Sequence, residues 1–325
     1  MDEFGFIRKL LTPLSGAEEG ALGLSDDAAV LAVLQGFDLV VTKDALVEGV
    51  HFTGGEKPSE IARKLLRVNL SDLAAMGAEP WRYFMALILP KSADEVWLSD
   101  FAKGLSEDQK TFGVVLAGGD TTRSNGLLGL SLTMLGLVPQ GQALKRSGAR
   151  AGDDIYVSGT LGDAALCLDT VLKKSAASPV CGLEEAMLDY LLQRYRLPEP
   201  RLALGQALRG LATASIDVSD GLVQDLEHIC ECSGVGAQIN WPDLPKSDAV
   251  LARGDEAFQA VTAGGDDYEL LFTAPASAKE AIAQAAQASG TRVTRIGQVV
   301  AGKEAVVLDA NAKPMMLSRK GYKHF

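Results

Sequence analysis

The chain has 325 residues, 47% of them hydrophobic, with 31 basic against 42 acidic side chains and a net charge of −11. That length suffices for one large domain or two ordinary ones with real cores, and the acidic balance argues against a nucleic acid or an anionic membrane as the main partner. Cys167, Cys181, Cys230 and Cys232 fit neither a zinc knuckle nor a disulfide framework, and the start Met1-Asp-Glu-Phe lacks a signal pattern, so a reducing, cytoplasmic setting is expected.

Phe4 to Leu14 has the pattern of a short amphipathic helix, and Gly20 to Ser25 forms a turn into Asp26-Asp27. Phe37 to Thr42 reads as a strand, after which the chain passes Lys43, Asp44 and Val47-Glu-Gly-Val-His51-Phe. Ile61, Leu65, Val68 and Leu73 then mark one stripe of a helix, with Ser59 placed to cap its start and Gly77 to end it. Asp72 sits near the carboxyl end of that helix, where the helix dipole disfavours an anion. Three and four positions away stand Val68, Asn69, Ala75 and Met76, so no Lys or Arg on the same face can pair with it. A carboxylate so placed needs a partner from elsewhere or gives up its charge.

Tyr83 to Leu89 is a second strand, Asp94 to Thr111 a helix, and Val114 to Ala117 a short strand running into Gly118-Gly-Asp120-Thr-Thr-Arg123. Gly126 to Val138 is uncharged and apolar, too short to span a bilayer, and reads as a buried strand. The polar stretch Pro139 to Gly152, with Lys145, Arg146 and Arg150, is the expected joint between an α+β domain at residues 1–140 and an α/β domain at residues 150–325. In the second half Asp154 to Ser158 is a strand, Gly159 to Asp163 a turn that either cradles phosphate or simply opens a helix, and Ala164 to Lys174 that helix. Ala214 to Val218 is a strand ending in Asp217-Val-Ser219-Asp220-Gly, followed by a helix through Cys232. Strand, helix, strand and strand follow at Tyr268–Thr273, Ala276–Ser289, Thr291–Val300 and Ala305–Asp309.

Aspartates recur at the ends of apolar segments. Asp27, Asp44, Asp72, Asp120, Asp217 and Asp220 each close such a segment or sit in a turn beside one. One or two would be turn formers, but six point to a shared purpose. Carboxylate pairs about 4 Å apart repel by roughly 4 kcal/mol at an effective dielectric near 20, so a converging set requires cations. With only His51, His228 and His324 as imidazoles, the hard oxygen donors select Mg²⁺. Mg²⁺ in such sites usually completes its shell with substrate phosphates, which points to phosphoryl chemistry. The chain has no P-loop, dinucleotide turn, kinase catalytic loop or nucleophile elbow. A nucleotide would therefore be held through metal ions, backbone amides and a few cations, of which Arg146 is the best placed.

With these segments assembled, the chain resembles the thiamine-monophosphate kinase family of the aminoimidazole-ribonucleotide-synthetase-like ATP-binding superfamily. The resemblance rests on Asp26-Asp27-Ala-Ala-Val, Asp44-Ala-Leu-Val-Glu-Gly-Val-His51-Phe and Asn69-Leu-Ser-Asp72-Leu-Ala-Ala-Met-Gly-Ala. It continues through Gly118-Gly-Asp120-Thr-Thr-Arg, Lys145-Arg146-Ser-Gly-Ala, Ile216-Asp217-Val-Ser219-Asp220-Gly-Leu, Gly264-Gly-Asp266-Asp-Tyr-Glu-Leu and Lys320-Gly-Tyr-Lys-His-Phe. It implies a two-domain fold, a homodimer that pairs its amino-terminal sheets, and ATP-dependent phosphorylation of thiamine monophosphate to the diphosphate. It also implies that Asp27, Thr42, Asp44, Asp72, Asp120, Asp217 and Asp220 hold several Mg²⁺ ions. By the same resemblance Gly119, Asp120, Arg146 and Ser219 lie against ATP, and His51 and Asp266 contact the thiamine phosphate. Four positions depart from the family pattern. Lys43 replaces Thr or Ser: a metal contact through the backbone carbonyl would survive this and one through the side chain would not, or else its ammonium offsets some of the acidic charge. Ser25 replaces Gly, Asp266 replaces Glu and shortens the reach to substrate, and Arg319 replaces an aromatic.

Overall fold

The computed structural model describes residues 3–16, 18–25, 28–32, 35–169 and 183–322. The chain divides into two compact units, Met1–Leu73 with Ala78–Gly141, and Ala74–Gly77 with Gln142–Phe325.

The first unit carries a four-stranded sheet built from β1 (Phe37–Val47), β2 (Glu79–Leu89), β3 (Val115–Arg123) and β4 (Gly129–Pro139) in the order β1-β4-β2-β3. The apolar stretch read as buried strand is β4, antiparallel to both of its neighbours, while β2 and β3 run parallel. β1 does not stop at Thr42. Its ladder with β4 runs unbroken from Phe37 opposite Pro139 to Val47 opposite Gly129, which makes Lys43 and Asp44 strand residues. Strand alternation then sends Thr42 and Asp44 to one face and Lys43 to the other.

Helices Pro58–Ala75 and Glu95–Phe112 complete this unit. Pro58 opens the first of them, as suits a residue whose fixed φ matches a first helical turn and whose missing N–H costs nothing there. Ser59 is thus not the cap; its N–H is taken by Asp100 at 2.9 Å, and the Lys57 N–H by Glu60 at 3.1 Å. Gly77 does terminate the helix. It adopts φ +66°, and the Ala78 N–H returns to the Leu73 carbonyl at 2.8 Å in a Schellman-type closure. Leu73 lies so close to β4 that a Cβ on Gly136 would come within 3.0 Å of it. At the amino end the expected helix Phe4–Leu14 is a continuous helical run over 3–15 that changes type, with α, π and 3₁₀ turns in succession.

The second unit is a six-stranded sheet of β5 (Asp154–Ser158), β6 (Ala214–Asp217), β7 (Gly236–Asn240), β8 (Leu270–Ala274), β9 (Val293–Val300) and β10 (Ala305–Leu308). Its order is β10-β7-β9-β5-β8-β6, with β10 and β7 parallel and every other pair antiparallel. β5, β6 and β8 are buried at every residue, because apolar cores lie on both faces. One core joins Ile155, Val157 and Leu271 to Leu222, Leu226 and Ile229 of helix Leu222–Ser233. The other joins Tyr156 and Phe272, stacked at 5.3 Å between centroids, to Leu204, Leu208 and Ile282. The helix after the Gly159–Asp163 turn is α-helical over Asp163–Cys167 and stays helical through 169; residues 170–174 of its expected span, like Cys181, lie outside the described residues. No helix among the described residues is long and apolar enough to cross a membrane.

Candidate active site

In the first unit, β1 and the end of helix Pro58–Ala75 bring Thr42, Asp44 and Asp72 together. The Thr42 hydroxyl donates to Asp72 Oδ2. Asp44 titrates at about 7, raised first by burial and then by the negative charge of Asp72. Lys43 turns away from this pair, so of its alternatives the offset of acidic charge is not made here. Its ammonium crosses the opposite face to Ser131 Oγ at 2.9 Å and Thr133 Oγ1 at 3.4 Å, as strand alternation requires.

Gly119 and Asp120 lie on β3, in register with Met85 and Ala86 of β2. They border a cavity of about 450 Å³ whose apolar wall includes Leu11, Leu24, Phe84 and Leu116. A Cβ at Gly119 would fall 2.0 Å from the Met85 carbonyl, so the close β2–β3 approach there demands glycine. His51 follows β1 in a turn where the Val47 N–H donates to its Nδ1 at 3.1 Å. That bond directs the proton of the neutral ring to Nε2. Asp27 lies outside the described residues.

In the second unit the remaining candidates gather at the end of β6. Asp217 is its last residue and is buried; Ser219 and Asp220 follow in a loop that leads into helix Leu222–Ser233. The loop is shaped by Asp225, which sequence reasoning passed over. Asp225 Oδ2 accepts the N–H groups of Ser219, Asp220 and Gly221, each at 3.1 Å, and burial raises its carboxyl to about 7. Since those amides are spent on Asp225, Ser219 has its side chain to offer an incoming group.

Asp266 packs on the same loop. Its N–H donates to the Ser219 carbonyl at 2.9 Å, the Tyr268 N–H to the Val218 carbonyl at 2.8 Å, and both residues carry positive φ, 70° and 51°. This distortion keeps Tyr268 out of β8, which starts at Leu270. An ionic network beneath the segment holds it in place. Glu269, fully buried, receives Arg194 at 2.8 Å, two bonds from Arg201 at 2.7 Å and the Ser158 hydroxyl at 2.5 Å. Burial and neighbouring Asp163 push Asp267 well above the usual carboxylate range. Asp267 Oδ2 takes the Gly162 N–H at 2.7 Å, so the Gly159–Asp163 turn spends its amides on protein: Gly159 on the Arg292 carbonyl and Leu161 on the Pro245 carbonyl.

Arg146 is exposed on a loop anchored along β6. The Ser215 N–H donates to the Lys145 carbonyl at 2.8 Å, and Ser233 Oγ accepts the N–H groups of Gly148 and Ala149. The backbone beside Arg146 is therefore tied to the strand that ends in Asp217.

Among the described residues no three His, Cys, Asp or Glu side chains are drawn together closely enough to hold an ion by themselves. The donor chemistry nevertheless fits Mg²⁺. Thr42, Asp44 and Asp72 supply only hard oxygens, and burial together with the neighbouring Asp72 charge raises the Asp44 carboxyl to about 7.

The profile for AIR synthase related protein, N-terminal domain, matches residues 25–138, and that for the C-terminal domain matches residues 150–309. A thiamine-monophosphate kinase of Caulobacter vibrioides is 43% identical over 328 residues, covering 99% of this chain and 90% of the relative. The crystal structure of the thiamine-monophosphate kinase from Stenotrophomonas maltophilia K279a superposes with a TM-score of 0.85 at 42% identity, covering 94% of this chain and 96% of that one. AaThiL complexed with AMPPCP and TMP superposes with a TM-score of 0.78 at 30% identity, covering 99% and 97%. The chain belongs to the AIR synthase related family and, within it, to the thiamine-monophosphate kinases.

Proposed function

We propose that the chain transfers the γ-phosphoryl group of ATP to the phosphate of thiamine monophosphate, giving thiamine diphosphate and ADP. The observation that carries this reading is the full-length likeness to AaThiL complexed with AMPPCP and TMP. Several Mg²⁺ ions are part of the reading, held by Asp27, Thr42, Asp44, Asp72, Asp120, Asp217 and Asp220. When bound, they neutralise phosphate charge and clamp the transferring group.

The side chains divide the remaining work. Gly119 and Asp120 border the apolar cavity of the first unit, which suits a purine ring beside a polar edge. Arg146 and the Ser219 hydroxyl serve the nucleotide's phosphates. His51, with its Nε2 protonated, presents a donor to the substrate phosphate, and Asp266 faces the cationic thiamine portion. The acceptor is already an anionic oxygen, so no strong general base is needed, and alignment for direct in-line transfer carries the rate.

A homodimer belongs to the same proposal. β1 leaves Phe37, Leu39, Val41 and Val47 exposed on one sheet face, with Lys43 between the last two bonded back to Ser131 and Thr133, a largely apolar stripe that a second copy's sheet would cover. Cytoplasmic residence also belongs to it, since ATP is the donor and no disulfide joins Cys167, Cys230 or Cys232 to another of the described residues.

Incubation with ATP, Mg²⁺ and thiamine monophosphate, followed by chromatography, tests the reading. Thiamine diphosphate and ADP should form in equal amounts, and free thiamine should give neither. ATP consumption without thiamine diphosphate would refute it.

A further inference from the structure

The carboxy-terminal segment Ser318–Tyr322 has no regular secondary structure and is held by side chains from two helices. Gln259 donates to the Arg319 carbonyl at 2.9 Å and accepts from the Ser318 hydroxyl at 2.6 Å, and Lys320 pairs with Glu227 at 2.6 Å. The decisive anchor is Gln224, in the first turn of helix Leu222–Ser233. Its side-chain amide donates to Asp220 Oδ2 at 3.1 Å and to the Tyr322 carbonyl at 3.0 Å. Its backbone N–H donates to the Lys320 carbonyl at 3.2 Å, and the Tyr322 N–H returns to the Asp220 carbonyl at 3.0 Å. Gly321 between them is buried against Gln224, where a Cβ would fall 2.6 Å from the Gln224 side chain.

We propose that Gln224 is a positioning residue that couples the Asp220 carboxylate to this carboxy-terminal segment. A carboxamide nitrogen carries two hydrogens, and here one serves each acceptor. Holding Oδ2 fixes the rotation of the Asp220 carboxylate and leaves Oδ1 to face a cation, as outer partners of metal ligands do. Swinging Asp220 away would cost the segment an anchor, and loosening the segment would free Asp220 to rotate. Cation capture at Asp220 and closure of the segment are then linked, and the linkage runs both ways. No other side chain of similar length serves: Glu lacks the donors and repels Asp220, and Leu or Met fills the space without bonding either acceptor. The inference rests on the proposed role of Asp220 as a cation ligand.

The test uses the full-length protein with two variants, Gln224→Met and Gly321→Ala, and two readouts independent of turnover. Mn²⁺ binding in the presence of ADP is followed by electron paramagnetic resonance of the free ion, and hydrogen exchange of the carboxy-terminal peptide is followed by mass spectrometry with and without Mg²⁺·ADP. In the wild type, Mg²⁺·ADP should slow exchange at Tyr322. Gln224→Met should abolish that protection and weaken Mn²⁺ binding about tenfold, while the half-saturating Mg²⁺ for turnover rises more than kcat falls. Gly321→Ala, which pushes the same two elements apart, should act in the same direction. Faster exchange in Gln224→Met with unchanged Mn²⁺ affinity would reduce Gln224 to a structural tie and overturn the proposal, as would wild-type exchange that ignores Mg²⁺·ADP. Should the wild type bind Mn²⁺ as described yet phosphorylate no thiamine monophosphate, the proposed function would fall and the coupling would stand.

Discussion

Thr42 on β1 donates its hydroxyl to Asp72 at the end of helix Pro58–Ala75, and Asp44, two residues along the strand, shares that side of the sheet. The consequence is electrostatic: two acids are concentrated beside a helix end that itself repels negative charge.

Metal-free protein should be less stable at pH 8 than at pH 5. Asp44 is raised to about 7 by burial and by Asp72. A carboxyl raised in the folded state contributes stability that is complete below its unfolded value near 4 and is lost as pH climbs through about 7. Asp225, also raised to about 7, acts in the same direction. Urea midpoints in chelator should therefore fall between pH 5 and pH 8. Asp44→Asn should remove its share, of order 1–3 kcal/mol, and millimolar Mg²⁺ should restore wild-type stability at pH 8.

Asp72→Asn should reduce turnover by at least about 100-fold, the scale of losing one electrostatic clamp on a transferring group. Its metal-free fold should be intact or more stable, because the repulsion on Asp44 is relieved. Circular dichroism melts alongside steady-state rates check both halves. A variant with wild-type turnover would remove Asp72 from the metal set.

Glu269→Ala should destabilise the second unit strongly. It strands Arg194 and Arg201 around a buried site, and breaking a buried ion pair from one side typically costs about 3–5 kcal/mol. Chemical denaturation measures the loss. Because Glu269 underlies the strained Asp266–Tyr268 segment, the KM for thiamine monophosphate should rise even where the variant is fully folded.

Val41→Asp should yield a monomer. Val41 is 56% exposed in the middle of the apolar β1 stripe, and a charge there would be buried by a second copy. Light scattering on the purified variant reads the mass directly; an unchanged dimer would place the contact elsewhere.

Much of this was legible in the sequence because it follows from local rules. Gly77 had to stop a helix, the Gly126–Val138 run had to be an inner strand, and Asp72 could find no partner within its own helix. Other features depend on long-range register or on distant partners. An ammonium at Lys43 could in principle offset the acidic charge near Asp44, but the extension of β1 through both residues puts them on opposite faces. Ser59 was the better cap by composition, yet Pro58 opened the helix and Asp100 took the Ser59 N–H. Asp225 carries the same residue type as Asp220 at nearly the same place. Only the folded loop, with three amides turned towards it, distinguishes the organiser from the candidate ligand. Glu269 stood within a recognised motif, but its partners Arg194 and Arg201 lie 75 and 68 residues away, beyond any local pattern.

Direct in-line transfer is read by a single-turnover reaction with γ-labelled ATP, Mg²⁺ and thiamine monophosphate, quenched over time and resolved into products. Label should pass from ATP into thiamine diphosphate as ADP appears, with none on the protein, and a chelator should stop it. Label that accumulates on the protein, or is released as inorganic phosphate while thiamine monophosphate remains unchanged, would contradict it.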